Sequence, residues 1–492
     1  MTASEQMLAL VEGSKNLQRL CREYKTESAT VHLKELVGGA FSLYAAATIR
    51  RTGGVHLFVA EDRDAAAYLL NDLYALLDEQ RVFFFPSSYK RSIAYGAEDA
   101  QGVVQRTAAL NALRMPSKGY LVLCTYPEAL AERVADAEAM RRETLAVHVG
   151  DHLRPSDLVE WLDEGGFVRV DFVYEPGQYS LRGGIVDVFS YVESLPYRFD
   201  FFDEEVDSIR RFNISSQLSQ DKLQEAEIIP NLNACDAGRV SLVEAAGDVC
   251  YWFFDADYAL RRVDELRRRM LTEADDPAGV DRVLTSRRQL LDALAGRRLF
   301  TARDTLPERS ATTVVEFRTA PQPTFNKNFE LLADDLAAAV EKGYRTYILS
   351  QNKAQVERLQ NIFHQIGRGG VDFTPVSITL HEGFVDHTLK CCCYTDHQLF
   401  DRYQRYRING EIRRDEQMTV AELNQLKPGD YVTHIDHGVG RFGGLVKINE
   451  NGRTHEAIKL VYRDGDVLFV NVHSLHRISR YKSGDGEPPK IY

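Results

Sequence analysis

A glycine-rich segment near the start of the chain is the first place where the residue types could do chemistry. Residues 36–42 have the sequence LVGGAFS, in which the Ser42 hydroxyl could hold Mg²⁺ at a phosphate-binding loop. A working loop has the pattern G-x-x-x-x-G-K-[ST], because its backbone N–H groups cradle the phosphates and its Lys reaches the β and γ oxygens. That Lys is missing, and no Gly-Lys pair occurs anywhere in the 492 residues. The segment therefore predicts a degenerate nucleotide site with no catalytic residue, no ATP hydrolysis and no stabilisation by Mg-ATP.

Acidic and histidine-rich segments are the candidates for metal ligands. Asp203-Glu204-Glu205 is similar to a metal-holding acidic motif, but without a phosphate loop to pair with we favour a solvated turn. His434 and His437 have the H-x-x-H spacing, and three more histidines follow them, His455, His473 and His476. Metal-binding pairs of this spacing usually lie on one helix face and need a third ligand. Because His434 and His437 straddle the end of a predicted strand, we expect surface or hydrogen-bonded histidines and no metal site.

Two arginines and a phenylalanine are candidates for binding a partner. Arg182 follows an alternating segment and Arg198 precedes the aromatic run that contains Phe202. Arginine beside an exposed aromatic residue is the usual composition of an interface hot spot. The alternative is structural, with Arg198 held in an ion pair by Asp200 or Asp187. The residues alone favour the two interpretations about equally.

Composition points to protein partners. The chain carries a net charge of -12, which disfavours a dedicated nucleic-acid-coating protein. No apolar run approaches the length of a membrane span, and the N-terminus has no basic-then-apolar signal segment. The seven cysteines form no disulfide framework, and the adjacent Cys391–Cys393 are expected to be small buried hydrophobic residues. A reducing cytoplasm fits these features best.

The elements that must position these residues follow an α/β pattern. Apolar runs such as Val55–Ala60 alternate with helical patterns, which predicts a largely parallel sheet. From about residue 140 a run of short strands, including Trp161–Phe167 and Val168–Tyr174, predicts an inserted α+β domain. The predicted fold class is a multidomain α/β protein: a degenerate P-loop-type α/β domain with an inserted α+β domain, a further α/β domain and a C-terminal β module. The predicted boundaries are 1–140 and 232–318 for the two parts of the first domain, 141–231 for the insertion, 319–412 for the further α/β domain and 413–492 for the β module.

The C-terminal module is predicted from turns and glycines. Lys427-Pro428-Gly429-Asp430 is a turn, and the strand predicted at Tyr431–Ile435 leads into a segment with four glycines. Glycine at that density in a β pattern marks bulges and sharp bends. Asp464-Gly465 separates two more predicted strands, Ala457–Tyr462 and Val467–Val472. The pattern predicts a small, strongly bent SH3- or Tudor-like module.

Two segments resemble one known family. LKPGDYVTHIDHGVGRFGGL at 426–445, with further matches to residue 481, resembles the RNA-polymerase-interacting domain of the bacterial transcription-repair coupling factors, a module that CarD regulators share. GQYSLRGGIVDVF at 177–189 and PYRFDFF at 196–202 resemble domain 2 of UvrB as it recurs in the same family, where it binds UvrA. Residues 325–407 are similar to the family's third domain. Both blocks in one chain favour the coupling factors over CarD.

The resemblance implies the partners and the residues that contact them. Arg182, Arg198 and Phe202 match the UvrA-contacting positions of the family. The polymerase-contacting positions are expected at the strand edge that follows Arg441, namely Arg441, Gly443, Gly444, Leu445, Lys447 and Ile448. The implied function is to bind stalled RNA polymerase through its β subunit and to recruit UvrA for nucleotide excision repair. The protein is expected to be a cytoplasmic monomer.

The same resemblance implies that any ATP-driven step lies elsewhere. Family members contain an ATP- and Mg-dependent translocase that acts on double-stranded DNA, and its motor is expected beyond residue 492. No cofactor is expected within these residues. Two alternatives are a nucleotide-dependent DNA helicase subunit with an unconventional site and a CarD-like transcription regulator.

Overall fold

The computed structural model describes most of the chain. The described residues are 2–89, 99–114, 119–193, 195–214, 217–232, 238–273, 277–402, 404, 406, 426–434, 438–450, 453–462, 466–471 and 478–480. They divide into two compact units, residues 1–408 and residues 409–492.

Helices and strands cover most of the described residues. The helices are α1 Ala3–Glu12, α2 Lys15–Tyr24, α3 Gly39–Thr52, α4 Arg63–Leu76, α5 Ala100–Arg114, α6 Pro127–Ala131, α7 Ala137–Glu143, α8 Pro155–Glu164, α9 Leu242–Ala246, α10 Ala256–Glu273, α11 Pro277–Val283, α12 Arg287–Leu294, α13 Phe329–Glu341, α14 Lys353–Gln365 and α15 Asp396–Leu399. The strands of the first unit before residue 240 are β1 Thr30–Lys34, β2 Gly54–Val59, β3 Val82–Phe84, β4 Tyr120–Thr125, β5 Val134–Ala135, β6 Leu145–His148, β7 Val168–Arg169, β8 Gln178–Arg182, β9 Ile185–Val188, β10 Tyr197–Phe202, β11 Glu205–Phe212, β12 Ser219–Leu223, β13 Glu225–Ile228 and β14 Arg239–Val240. The remaining strands are β15 Val249–Phe253, β16 Arg298–Thr301, β17 Thr313–Glu316, β18 Thr319–Pro321, β19 Arg345–Leu349, β20 Thr374–Val376, β21 Phe384–Asp386, β22 Cys391–Thr395, β23 Tyr431–His434, β24 Gly438–Glu450, β25 Arg453–Val461, β26 Val467–Asn471 and β27 Ile478–Arg480.

A seven-stranded parallel sheet forms the first α/β domain. Its strand order is β17-β1-β16-β15-β2-β4-β3, so strands from before and after the insertion lie side by side in one sheet. Strands covered on both faces are apolar throughout, and β15 is buried at every position. Trp252 at its centre packs edge-on against Phe41 of α3 and Phe300 of β16. Residues from before and after the insertion therefore share one core.

The inserted domain contains a six-stranded sheet and a short ribbon. The sheet order is β12-β11-β10-β9-β8-β7, and the ribbon pairs β6 with β13. The prediction of strands at Trp161–Phe167 is wrong, because residues up to Glu164 belong to α8. Pro155 at the first helical position and the buried pair Leu158 and Leu162, four residues apart, explain the helix. The strand predicted at Val168–Tyr174 is reduced to the two residues of β7.

A mixed five-stranded sheet forms the second α/β domain. Its order is β18-β21-β22-β19-β20, with α13 and α14 packed against it. The prediction that Cys391–Cys393 are buried is confirmed, since none is more than 3% exposed in β22. The mixed α/β, multidomain fold class is therefore confirmed, whereas the individual domain boundaries stay predictions.

The second compact unit is the β module. Five antiparallel strands have the order β26-β25-β24-β23-β27, and a register shift occurs where Gly443 and Gly444 bend β24. Its core includes Val432, Phe442 and Leu460. The likeness to an SH3 or Tudor module stays a prediction.

None of the helices in the described part of the chain combines the length and apolar character that crossing a membrane requires.

Candidate partner-binding surfaces

Antiparallel pairing places both candidate arginines on one face of the inserted domain, which we call the outer face. Arg198 of β10 lies directly opposite Asp187 of β9, and Asp187 lies opposite Ser180 of β8. Arg182 is two residues after Ser180, and side chains two apart on a strand share a face. The register therefore brings Arg182 and Arg198 to the same carboxylate.

Asp187 is the centre of this cluster. Its side chain is completely buried and accepts two hydrogen bonds from Arg198, from Nε to Oδ1 at 2.7 Å and from Nη2 to Oδ2 at 2.9 Å. Arg182 Nη2 also donates to Asp187 Oδ2. The Arg198 guanidinium lies 4.4 Å from the centre of the Phe212 ring, and the Arg182 guanidinium 4.7 Å from that of Phe172. The hydrogen bonds from Asp187 raise the pKa of the Arg198 guanidinium above its ordinary value, so this arginine stays charged.

The exposure of the three candidate residues differs. Phe202, at the end of β10, is 78% exposed, whereas the side chains of Arg182 and Arg198 are 33% and 15% exposed. The expectation that all three lie at the surface is wrong for Arg198, because its side chain is committed to the Asp187 pair. The ion pair of the structural alternative is present, with Asp187 as the partner of Arg198, and a role of Arg198 in binding UvrA stays a prediction.

Sequence reasoning missed two further basic residues on the outer face. Arg210 of β11 lies opposite Arg198, and Lys222 of β12 lies opposite Arg210. Arg210 pairs with Asp200 at 3.2 Å, which offsets part of the repulsion between neighbouring arginines. The alternation of β11 was the signal that could have placed Arg210 on this face.

In the acidic segment Asp203-Glu204-Glu205, the first two residues form the turn that follows Phe202 and Glu205 begins β11. Asp203 has a φ of 58°, and Glu204 pairs with His152 at 3.2 Å. Asp203, Glu204 and Glu205 are exposed, as a solvated turn requires. Within the described residues no group of His, Cys, Asp and Glu side chains has the arrangement of a metal site.

The glycine-rich segment 36–42 lies between a strand and a helix, as a phosphate loop does. The sequence pattern did not predict β1, which ends at Lys34, so we expected this segment before the first clear strand. In the structure the segment follows β1, and its residues from Gly39 onward form the start of α3. The Ser42 hydroxyl donates to Asp72 Oδ2 at 2.7 Å. Asp72 is buried, and burial raises the pKa of its carboxyl to about 7. Its Oδ1 accepts a hydrogen bond from the His381 N–H of the second α/β domain at 2.6 Å.

The expected polymerase-binding strand is β24 in the β module. One edge of β24 pairs with β25, at Arg441 and Phe442 and again from Leu445 to Glu450. Its other edge pairs with β23 only from Gly438 to Arg441. Beyond Phe442 that second edge has no strand partner among the residues that the structure describes, which leaves main-chain groups for another strand.

The side chains along β24 are described in part. Leu445 is 45% exposed, and Arg441 donates to the Tyr431 hydroxyl at 3.0 Å. The side chains of Lys447 and Ile448 lie outside the described ones. The same applies to the histidines of this module, His434, His437, His455, His473 and His476.

Comparison with known proteins finds two family models and a set of longer relatives. The UvrB interaction domain matches residues 145–233, and the CarD-like/TRCF RID domain matches residues 426–482. The transcription-repair-coupling factor of Bacillus subtilis (strain 168) is 22% identical over 548 residues, which cover 94% of this chain and 46% of the relative. That of Staphylococcus haemolyticus (strain JCSC1435) is also 22% identical, over 88% of this chain and 44% of the relative.

The chain is thus similar to transcription-repair-coupling factors over most of its length. The predicted resemblance is therefore confirmed. The two matched domains coincide with the six-stranded sheet of the inserted domain and with the β module. The chain spans about half the length of the coupling factors it matches.

Proposed function

We propose that this chain links stalled RNA polymerase to nucleotide excision repair by binding the polymerase β subunit through the β module and UvrA through the inserted domain. The observation that carries the proposal is that one chain matches both the UvrB interaction domain and the CarD-like/TRCF RID domain. A pull-down with separate β-subunit and UvrA baits tests it. Failure of the whole chain to bind either bait overturns the corresponding half.

Phe202 is the proposed anchor of the UvrA surface. A large aromatic side chain that is 78% exposed has apolar area to bury against a partner. Arg182 is close enough to solvent to reach a partner carboxylate, whereas Arg198 supports the surface through Asp187. The charge that this face offers is positive, which favours an acidic and partly apolar surface on UvrA.

Phe202→Ala should weaken UvrA binding by about 2 kcal/mol, roughly thirtyfold in Kd, because a hot-spot aromatic residue is lost. The melting temperature should stay unchanged, since the side chain contributes little buried area. Isothermal titration with UvrA measures the first effect and thermal unfolding the second. Leu218→Ala is the matched control, because Leu218 is 68% exposed near the far end of β11. Equal UvrA affinity for Phe202→Ala and wild type would remove Phe202 from the surface.

The proposed polymerase contact is strand addition to the open edge of β24. A partner strand can pair with the unpaired main-chain groups after Phe442, and alternate side chains then supply specificity. Leu445 and Ile448 are the apolar positions proposed to contact the β subunit, with Arg441, Gly443, Gly444 and Lys447 alongside them.

Ile448→Arg should weaken β-subunit binding by tenfold or more, about 1.4 kcal/mol, because it places an unpaired charge in a buried contact. Val467→Arg is the matched control: Val467 is 42% exposed on β26, at the opposite edge of the sheet, and its replacement should leave binding intact. Surface-binding kinetics with the isolated β subunit distinguish the two. If only Val467→Arg lost binding, the contact would lie on β26.

ATP hydrolysis is proposed to lie outside these 492 residues. We propose that ATP, Mg and double-stranded DNA act on a translocase motor in the rest of the protein, and that the cytoplasmic protein is a monomer. The absent Lys at 36–42 supports this assignment. Stabilisation of this chain by Mg-ATP in a thermal-shift titration would favour the helicase-subunit alternative.

A further inference from the structure

The N-terminus of α3, where a phosphate loop would hold a nucleotide, is covered by another part of the same chain. The covering residues are Leu380–Gly383, which precede β21 in the second α/β domain; we call them the 380–383 segment. The Gly39 N–H at the start of α3 donates to the Glu382 carbonyl oxygen at 3.0 Å. An N–H at this place in a phosphate loop would donate to a phosphate oxygen.

Glycines on both sides allow the two backbones to meet. A Cβ on Gly39 would lie 2.4 Å from the Glu382 carbonyl oxygen, and a Cβ on Gly38 would lie 3.0 Å from the Gly383 carbonyl oxygen. Gly383 is equally confined, because a Cβ there would lie 2.0 Å from Gln322 Oε1. Gly38 also has a φ of 56°, which favours glycine. Close approach therefore accounts for the Gly38-Gly39 pair without any phosphate.

Asp72 of α4 forms hydrogen bonds with both α3 and the 380–383 segment. It accepts from the Ser42 hydroxyl of α3 and from the His381 N–H of the 380–383 segment, so one buried carboxyl joins the two. The His381 ring stacks on Tyr68 of α4 with 3.6 Å between the ring centres. Ser42, which a phosphate loop would direct at Mg²⁺, is thus occupied by an internal contact.

The charges beside the segment oppose a nucleotide. A cavity of about 370 Å³ adjoins it, lined in part by four carboxyl groups, Glu35, Glu61, Asp72 and Glu382. The same described lining has one arginine, Arg303, and it pairs with Glu61. The net negative charge here would repel phosphate groups, whereas it does not repel a neutral backbone carbonyl.

We propose that the former phosphate-loop position is a docking site for the 380–383 segment, and that this contact holds the first and second α/β domains in one arrangement. The ligand of the site is a backbone carbonyl and N–H pair of the chain itself. The missing Lys is then a consequence of the new role, since a cation is no longer needed there. This inference is independent of the partners of the chain.

Gly39→Ala tests the docking contact in the whole chain. Alanine is favourable at the start of a helix. The destabilisation expected from Gly39→Ala therefore comes from the added Cβ, which would lie 2.4 Å from the Glu382 carbonyl oxygen. We expect amide hydrogen exchange in peptides covering 378–386 to become roughly tenfold faster, because the segment must move away from α3. Gly13→Ala is the matched control, since a Cβ at Gly13 has no atom within 4 Å and its φ of -85° suits any residue. Peptides from the inserted domain and the β module should exchange as in wild type.

Asp72→Ala provides a second route if Gly39→Ala folds poorly. It removes the acceptor of the His381 N–H without adding an atom, and it should speed exchange in the same peptides. Wild-type exchange at 378–386 in both variants would overturn the proposal. It would also be overturned if Mg-ATP protected 36–42 and released 378–386 in the wild-type chain, because the segment would then be a plug that nucleotide displaces.

Discussion

Asp187→Ala should destabilise the inserted domain by about 3–5 kcal/mol, the usual cost of breaking a buried ion pair from one side. The carboxylate is fully buried and faces two guanidinium groups, those of Arg182 and Arg198. Without it, two like charges remain close together beneath the Phe172 and Phe212 rings. Hydrogen exchange of peptides from β8 to β11 measures the loss, since it reports this domain separately from the rest of the chain.

Asp207→Ala is the control for that experiment. Asp207 is exposed on β11, and its replacement should change stability by no more than about 0.5 kcal/mol. Arg198→Ala should resemble Asp187→Ala in its effect on exchange, because it removes the main partner of the same carboxylate. Loss of UvrA affinity without any change in exchange for Arg198→Ala would show that this arginine acts at the interface and not in the fold.

Glu132→Ala should destabilise the first α/β domain by a similar amount, about 3–5 kcal/mol. Arg106 and Glu132 are 1% and 4% exposed, with Arg106 Nη1 3.3 Å from Glu132 Oε2. The Glu132 carboxylate also accepts from the Ser88 backbone N–H and from the Ser87 and Ser88 hydroxyls. Burial lowers the pKa of the Arg106 guanidinium, and the nearby carboxylate opposes that change, so its removal leaves an uncompensated charge in the core.

Thermal unfolding and exchange of peptides from β3 and α5 measure this second effect. Glu138→Ala is the control, because Glu138 is an exposed residue on α7 only six positions away. A melting temperature for Glu132→Ala equal to that of Glu138→Ala would mean that the Arg106 charge is relieved in another way. Both variants remove a glutamate carboxylate, so the difference between their melting temperatures reports the effect of burial.

Local sequence patterns were sufficient to predict strands that are buried on both faces and helices that bury one stripe of side chains. The apolar run at Val55–Ala60 predicted β2, and the apolar character of Cys391–Cys393 predicted their burial, which the structure shows in β22. Such patterns are repeated over several residues, so a single exception does not hide them. The pattern failed at Trp161–Phe167, which begins with the last turn of α8 but was predicted as a strand. It also failed at β1, where Thr30, His32 and Lys34 alternate with apolar residues and no continuous apolar run exists.

The outer face shows where pattern reasoning stops. The residues identified Arg182, Arg198 and Phe202 as a group, and they left open whether Asp187 or Asp200 pairs with Arg198. Strand register decides that question, because it sets which residues on β9 and β10 lie opposite each other. Register depends on the packing of the whole sheet, which no single segment contains.

The sequence by itself determined the resemblance to the coupling factors, the α/β class and the absence of a Gly-Lys pair, since each depends on the order of neighbouring residues. Only the tertiary structure decided what contacts the N-terminus of α3. Gly39 and Glu382 are more than three hundred positions apart, and neither carries a local signal for the other. Their contact exists because the parallel sheet closes around the insertion and brings the second α/β domain against the start of α3, where an N–H without an acceptor would be costly.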